Sequence, residues 1–313
     1  MTIPYFDAHC DTISRIATDP ERHLTSYTDQ WNLDQMEVYD GPRAQFFAIY
    51  RDSALPDMES FVHAEFTAFE AECRRYDHRV THCTTAAQAE QAFSEGKLAA
   101  FLSVEGAELL DCSLERLRWA HSKGVRAVNL TWNHANALAG SHKERADRGL
   151  SEQGRTFVAE MNRLGMIVDV SHLSDPGFWD VMEVTTKPVM ASHSNARNVF
   201  FHTRNLTDSQ ITAIIKNQGI VGLNCYTAFL GEGRVNMATL RRHLDHMLEL
   251  GGEATVALGG DWDGCYPLPE GFSGAWNWRD FYEYLYAKNY PEPLLQDLFF
   301  NNLMRIVREV CII

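Results

Sequence analysis

Short apolar runs recur along the chain and are separated by stretches with the spacing of amphipathic helices. Eight of these runs have the length and the β-branched or aromatic composition of buried strands. They are Ile3–His9, Gln45–Tyr50, Leu98–Val104, Ala127–Trp132, Met166–Ser171, Val189–Ser192, Ile220–Cys225 and Thr255–Gly260. Because the runs are apolar on both faces, they predict a parallel sheet that is covered on both sides.

Stretches with helical periodicity fill most of the intervals between the runs. Gly154–Leu164 follows Ser151, a typical residue at a helix start, and Met58–Arg75 predicts a long helix after the second strand. The other predicted helices are Asp208–Asn217, Met237–Leu250, Asp280–Tyr286 and Leu294–Glu309. We expect the last two to pack on the outside of the sheet.

Eight alternating strands in 313 residues predict an α/β protein that closes into a (β/α)8 TIM barrel. An open doubly wound sheet is the alternative. The sequence contains no evident linker, repeat or second domain. We therefore expect residues 1–313 to form a single catalytic barrel with additional C-terminal helices.

Candidate metal ligands follow the first apolar run. His9 and Asp11 are two residues apart, so they point to the same side of a strand and can share one metal ion. A core histidine beside a capping aspartate would give the same pattern. The pair alone therefore leaves both interpretations open.

Three more candidates, Glu105, His172 and His193, follow other apolar runs. Each histidine alone could be a packing residue, and Glu105 alone could pair with a lysine or arginine. Their shared position matters because the active sites of such barrels gather at the carboxyl ends of the strands. Five nitrogen and oxygen ligands exceed the three of a single open catalytic zinc, so we predict two divalent ions, with zinc as the first choice. Paired metals of this kind support hydrolysis.

Two acids follow the last predicted strand. Asp261 is suitably placed to move protons beside the metals, whereas Asp263 fits a Gly-Asp turn. The chain has no nucleophile elbow, phosphate-binding loop or dinucleotide-binding loop that would indicate another chemistry.

Composition narrows the range of partners and environments. The net charge of −14 argues against nucleic acid or an anionic membrane surface as the main partner. Seven scattered cysteines without a C-x-x-C pair fit reduced thiols. With neither a signal-like amino terminus nor a long apolar segment, the sequence predicts a cytoplasmic protein that does not associate with membranes.

These residues lie in segments that resemble the membrane (renal) dipeptidase family, metallopeptidase family M19 of the amidohydrolase superfamily. The segments are Asp7–Asp11, Val104–Gly106, Asp169–His172, Ser192–Ser194, Arg204–Asn205 and Gly260–Gly264. The resemblance implies that His9 and Asp11 bind one zinc, that His172 and His193 bind the other, and that Glu105 bridges them. It also implies that Asp261 is the proton shuttle and that Arg204 holds the carboxylate at the C-terminal end of a dipeptide. A surface arginine beside the next helix is the alternative for Arg204.

One segment departs from the pattern of the mammalian enzymes. Where those carry a histidine that polarises the scissile carbonyl, this chain has Trp132, as in the bacterial branch. His134, two residues later, is either a substrate-binding residue or a loop residue. Tyr226, Phe229 and Tyr266 are further candidates for pocket walls.

The resulting hypothesis is a zinc-dependent dipeptidase in which a hydroxide that bridges the metals attacks the peptide bond of a free dipeptide. A D-residue at the C-terminal position should be tolerated. The alternatives are a barrel amidohydrolase that acts on a lactone, an ester or another amide, and a metal-binding relative without catalysis. The family resemblance also makes a homodimer an expectation.

Overall fold

The computed structural model describes residues 2–312 and contains nine parallel strands. They are β1 (Tyr5–Cys10), β2 (Arg43–Tyr50), β3 (Val80–His82), β4 (Leu98–Glu105), β5 (Val125–Asn129), β6 (Ile167–Asp169), β7 (Met190–Ala191), β8 (Ile220–Leu223) and β9 (Val256–Leu258). Eight of them form a closed barrel, because β2 pairs with β4 as well as with β1. The predicted (β/α)8 barrel is therefore confirmed, and the open sheet is excluded.

Each of the eight predicted strands overlaps an observed strand, although six of the observed strands are shorter than predicted. The ninth, β3, was not predicted. It pairs with the first residues of β4, from Val80 opposite Leu98 to His82 opposite Ala100, and lies outside the closed barrel. Its Val-Thr-His sequence has no apolar run that could have identified it.

Helices surround the barrel. They are α1 (Thr12–Thr18), α2 (Met58–Arg75), α3 (Ala86–Ser94), α4 (Leu114–Ser122), α5 (Glu152–Leu164), α6 (Asp175–Val184), α7 (Asp208–Lys216), α8 (Thr227–Leu230), α9 (Met237–Glu249), α10 (Trp278–Ala287), α11 (Glu292–Gln296) and α12 (Asn302–Val310). Short 3-10 turns lie at Gln35–Val38, Ala107–Leu110 and Ala275–Asn277. The predicted helix Leu294–Glu309 is divided between α11, a π-helical turn at Asp297–Asn301, and α12. No helix within residues 2–312 is both long enough and apolar enough to cross a membrane.

Aromatic side chains fill the amino-terminal half of the barrel. The rings of Phe6, Phe46 and Phe101, from β1, β2 and β4, stack with centroids 5.1–5.7 Å apart. Helix α12 covers this end. Asn302 donates to the backbone carbonyl of Val256, and the apolar face of the helix belongs to the same buried cluster as the three rings. Because this end is closed, the opposite rim is the open face of the barrel.

Strand register places the polar side chains at that open rim. Tyr50, Glu105 and Asn129 lie side by side at the ends of β2, β4 and β5, and Asp169 at the end of β6 is level with them. In β1 the register shifts between Asp7 and Cys10, so His9 lies in an irregular stretch of strand. Such a bulge changes the direction in which a side chain points.

Candidate metal centre and substrate cavity

The structure brings the predicted metal ligands together at the open rim. His9 belongs to β1, Asp11 follows it, Glu105 ends β4, and His172 and His193 follow β6 and β7. All five are buried. His9 Nε2 lies 3.5 Å from Asp11 Oδ2 and 3.5 Å from Glu105 Oε2.

The two carboxylate oxygens of Glu105 face different histidines. Oε2 faces His9, whereas Oε1 lies 2.9 Å from His172 Nε2 and 3.4 Å from His193 Nε2. Asp261, which follows β9, closes the first group, with its Oδ1 3.9 Å from His9 Nε2. Glu105 therefore faces ligand atoms on two sides, and a ligand atom of each of His9, Glu105 and His193 lies within 4.8 Å of the other two.

The donor atoms have the arrangement that a divalent metal requires. His9 Nε2 and Asp11 Oδ1 are buried without a hydrogen-bond partner in the described chain, although buried polar atoms normally have one. The Nε2 atoms of His172 and His193 face each other at 2.9 Å. Imidazole nitrogens and carboxylate oxygens without a thiolate suit zinc or a similar divalent ion. The residues present thus fit a metal centre.

Burial favours the neutral, metal-binding form of His172 and His193. It lowers the pKa of His172 and His193 well below the usual value, and the nearby charge of Arg204 lowers both further. Metal binding requires neutral imidazole. Burial also raises the pKa of Glu105 and Asp261, since each carboxylate lies deep among other carboxylates. A cation at this position would offset that cost.

Backbone conformation at the rim is unusual for non-glycine residues. His172 and Asp261 have φ angles of 70° and 61°, in the left-handed region that such residues seldom adopt. Gly264 leaves space for the carboxylates, because a Cβ there would lie 2.0 Å from Asp11 Oδ2 and 2.5 Å from Asp261 Oδ1. Sequence reasoning identified the acids but not this requirement for glycine.

Asp7 forms hydrogen bonds that fix the backbone around His9 and Asp261. Its carboxylate accepts hydrogen bonds from the backbone N–H groups of His9 and Gly260 and from the indole nitrogens of Trp262 and Trp278. The side chain is fully buried, and among the described residues it forms no ion pair. Asp7 therefore holds β1 against the segment that carries Asp261.

A cavity of about 460 Å³ opens above the ligands. Its walls include all of the predicted ligands except His9, together with Asp261, Arg204, Trp132, Tyr226 and Phe229. Other lining residues were not predicted: they are Tyr50, Asn133, His142, Lys143, His202, Thr203 and Gly264. They lie mainly in loops, where periodicity carries no information. The sequence feature that could have identified these lining residues is their position after predicted strands.

His134 does not line this cavity. Its ring lies between Asp52 and Glu144, with Nε2 3.3 Å from Asp52 Oδ1 and Nδ1 3.2 Å from Glu144 Oε2. The expectation that it contacts substrate finds no support in this position, because two acidic side chains hold the ring. His142, farther along the same loop, is the histidine that enters the cavity.

Two other aromatic or acidic candidates also lie away from the ligands. Tyr266 is 81% exposed and lines a separate depression. Asp263 accepts hydrogen bonds from Thr12 Oγ1 and from the backbone N–H of Gln30, each at 2.7 Å. It thus has the structural role expected for a turn residue.

Arg204 is buried in the wall of the cavity, not at the surface. Nη1 donates to Ser194 Oγ at 3.4 Å and Nη2 donates to the carbonyl of His193 at 3.2 Å. Its Nε has no partner, and across residues 2–312 no carboxylate lies within ion-pairing distance of the guanidinium. The interpretation as a surface arginine is wrong. A buried cation without a counter-ion needs an anion.

The closed barrel and the buried cluster of histidines and carboxylates at its rim define a metal-dependent hydrolase. Residues 1–312 match the family model described as membrane dipeptidase, peptidase family M19. The chain belongs to this family and is a metallo-dipeptidase.

Two solved structures support this assignment over nearly the whole chain, and a third similar protein matches 74% of it. A metallo peptidase from Rhodobacter sphaeroides, solved with a phosphinate mimic of the dipeptide L-Ala-D-Ala, is 29% identical with a TM-score of 0.91, and the match covers 99% of this chain and 100% of that one. Dipeptidase AC, a metallo peptidase of family M19, is 31% identical with a TM-score of 0.91 over 99% of both chains. A Klebsiella pneumoniae protein, named as an uncharacterized protein in the pqqA 5′ region, is 34% identical over 74% of this chain and 89% of its own length.

Proposed function

We propose that this metallo-dipeptidase holds two divalent ions, zinc in the first instance, and cleaves free dipeptides. The observation that carries the proposal is the position of Glu105, because its Oε2 faces His9 and its Oε1 faces His172 and His193. His9 and Asp11 would hold one ion, His172 and His193 the other, and Glu105 both. When bound, such a pair lowers the pKa of water and polarises a carbonyl.

Asp261 is the residue that we assign to proton transfer. Its carboxylate faces the cavity beside His9, and Asn224 Nδ2 donates to its Oδ2 at 3.1 Å. That hydrogen bond holds one oxygen and leaves Oδ1 directed at the ligands. In this role Asp261 would take a proton from the attacking water and deliver it to the leaving amine.

Arg204 is the residue that we assign to the C-terminal carboxylate of the substrate. Its planar guanidinium can form two parallel hydrogen bonds with a carboxylate, which a lysine cannot reproduce. The Phe229 ring lies 5.5 Å from the guanidinium carbon and limits its movement. Because Arg204 would act as a clamp on the carboxylate, the side chain of the C-terminal residue matters less for binding, and a D-residue there should be accepted. The Rhodobacter sphaeroides relative was solved with a mimic that contains D-Ala.

The aromatic walls complete the proposed substrate site. Trp132 stands where a carbonyl-polarising histidine is expected in the mammalian branch, and its ring contacts Tyr50 with centroids 5.1 Å apart. With Tyr226 it would provide apolar surface for the substrate side chains. His134 has no part in this proposal.

Comparison of acid and amide substrates tests the clamp. We expect the zinc-loaded enzyme to cleave free L,L- and L,D-dipeptides well and their C-terminal amides and longer peptides poorly. Arg204→Lys should cost about 2 to 5 kcal/mol in kcat/KM for the free dipeptide and little for the amide. Arg279→Lys on α10, where the exposed arginine pairs with Glu283, is the matched control. Equal cleavage of acid and amide by the unmodified enzyme would rule out the clamp.

A cytoplasmic location, a homodimer and a single catalytic domain over the whole chain stay predictions from the sequence.

A further inference from the structure

A chain of hydrogen bonds leads from His172 to the loop that carries Arg204. His172 Nδ1 lies 3.1 Å from Asn133 Oδ1, and His142 Nε2 lies 2.8 Å from the same oxygen. His142 Nδ1 in turn lies 2.9 Å from the hydroxyl of Thr203. Thr203 directly precedes Arg204 in the sequence. Three residues thus connect one candidate metal ligand, His172, to the candidate substrate clamp, Arg204.

The chemistry of the carboxamide determines where the protons lie. A carboxamide oxygen only accepts hydrogen bonds, so His172 Nδ1 and His142 Nε2 must both be protonated to donate to Asn133 Oδ1. His142 Nδ1 is then an acceptor, and the Thr203 hydroxyl supplies its donor. In this arrangement, each of these ring nitrogens has a partner of the correct type.

This arrangement leaves the lone pair of His172 Nε2 directed at Glu105 and His193. If Asn133 were turned so that its NH2 group met the two rings, His172 would carry its proton on Nε2 instead. That proton would point at His193 Nε2, 2.9 Å away, and would block metal binding. The orientation of Asn133 therefore decides whether His172 can be a ligand.

His193 has no comparable constraint. Its Nδ1 meets the hydroxyl of Ser192 at 2.7 Å, and a hydroxyl can either donate or accept. His172 also differs in its backbone, because its φ of 70° places it beyond the regular strand.

We propose that Asn133 and His142 are positioning residues for the second metal site. Asn133 holds the imidazole of His172 with Nε2 free for the metal, and His142 holds Asn133 while joining it to Thr203. The proposal rests on the proposed function, in which His172 is a metal ligand. It adds two residues that touch neither metal ion, and it links metal binding to the substrate loop.

Metal affinity is the decisive measurement. Asn133→Leu keeps the approximate size of the side chain but removes the acceptor, and should weaken binding of the second ion by about 10- to 100-fold. Competition with a chromophoric chelator, read separately for the two ions, should show this loss while the first site keeps its affinity. Asn133→Asp retains an acceptor for both rings and should restore affinity for the second ion.

Spectroscopy and a second variant distinguish a local effect on the second metal site from a general effect on the structure. In the Co²⁺-loaded protein, Asn133→Leu should change the visible bands of one ion only. His142→Leu, which leaves Asn133 in place, should weaken the second ion by a smaller factor. Asn198→Leu is the matched control, because this exposed asparagine donates to Asp208 away from the cavity and should leave both affinities unchanged.

The outcomes separate this inference from the proposed function. If the unmodified protein binds only one ion, the binuclear proposal fails. If it binds two and folded Asn133→Leu binds the second as tightly as the unmodified protein, the positioning role is wrong and the binuclear proposal stands. Should Asn133→Leu fail to fold, unchanged affinity for the second ion in His142→Leu would overturn the inference.

Discussion

At the scale of single residues, the proposed chemistry depends on buried ionisable side chains that have few protein partners. Glu105 connects the two ligand groups, Asp261 faces the first group, and Arg204 lies unpaired in the cavity wall. Removing one member of such a set leaves another charge uncompensated, which is costly in a buried site. Substitutions at these positions should therefore have specific effects that can be told apart.

Metal content should respond differently to two ligand substitutions. Glu105→Gln removes the shared carboxylate and should deplete both ions together, whereas His193→Ala should mainly empty one site. Elemental analysis after gel filtration gives the metal content per chain, and Glu115→Gln on the exposed face of α4 is the control. Full occupancy of both sites in Glu105→Gln would mean that Glu105 does not bridge them.

Asp261→Asn should separate catalysis from binding. We expect substantial metal and substrate binding to be retained and kcat to fall by about 10²–10⁴-fold, the usual share of general acid–base catalysis. Steady-state kinetics on protein of measured metal content provides the test. A nearly unchanged kcat in the fully loaded variant would remove Asp261 from proton transfer.

At the scale of elements, strand ends supply the ligands and loops supply the rest of the cavity. The buried imidazole of His243 connects three segments of the chain. His243 on α9 accepts a hydrogen bond at Nδ1 from the backbone N–H of Ala196, which follows β7, and its Nε2 donates to the carbonyl of Leu230 at the end of α8. The bond accepted at Nδ1 requires the neutral ring.

His243 should make stability depend on pH. Burial lowers the pKa of His243 from its usual 6.5 to about 4, with Arg242 and His246 contributing further. Since the unfolded chain takes up the proton first, this stabilisation is present above pH 6.5 and is lost as the pH falls towards 4, by about 3 kcal/mol in total. Urea unfolding of metal-loaded protein measures the effect.

The comparison that isolates this histidine uses His243→Gln. The difference in unfolding free energy between the unmodified protein and this variant should shrink as the pH falls from 6.5 to 4. His78→Gln, at an exposed histidine, should show no such change. A difference that stays constant with pH would show that His243 does not titrate with folding.

At the scale of the whole molecule, the candidate metal centre joins distant parts of the chain. Its proposed ligands come from residues 9 to 193 and from the ends of four strands, so a bound metal pair would hold one rim of the barrel together. A ligand that binds only the folded state stabilises that state. The metals should therefore contribute to stability as well as to activity.

Removing the metals should abolish activity and lower the melting temperature. The purified protein should contain close to two divalent ions per chain, and chelation should lower Tm by about 5 °C, as expected for an ion present at roughly a hundred times its Kd. Adding zinc back should restore both properties. Active protein with one ion or none would contradict the binuclear proposal, and an unchanged Tm would contradict the stabilising role.

The sequence alone was sufficient to predict the barrel and to select the candidate ligands that meet at its rim. Buried parallel strands are apolar on both faces, and the active sites of these barrels lie at strand ends, so local patterns indicated His172 and His193 as candidate ligands. The short outer strand β3 was not predicted because its residues carry no such pattern. The helix predicted at Leu294–Glu309 is interrupted by a π-helical turn.

Only the tertiary structure decided which loop residues meet the ligands. His134 and His142 belong to one loop, yet the first pairs with Asp52 and Glu144 while the second enters the cavity. The two-sided placement of Glu105 and the orientation of His172 by Asn133 likewise depend on contacts between residues far apart in the chain. Strand and helix periodicity reports which face of an element is buried. The path of a loop is set by long-range contacts, which that periodicity does not encode.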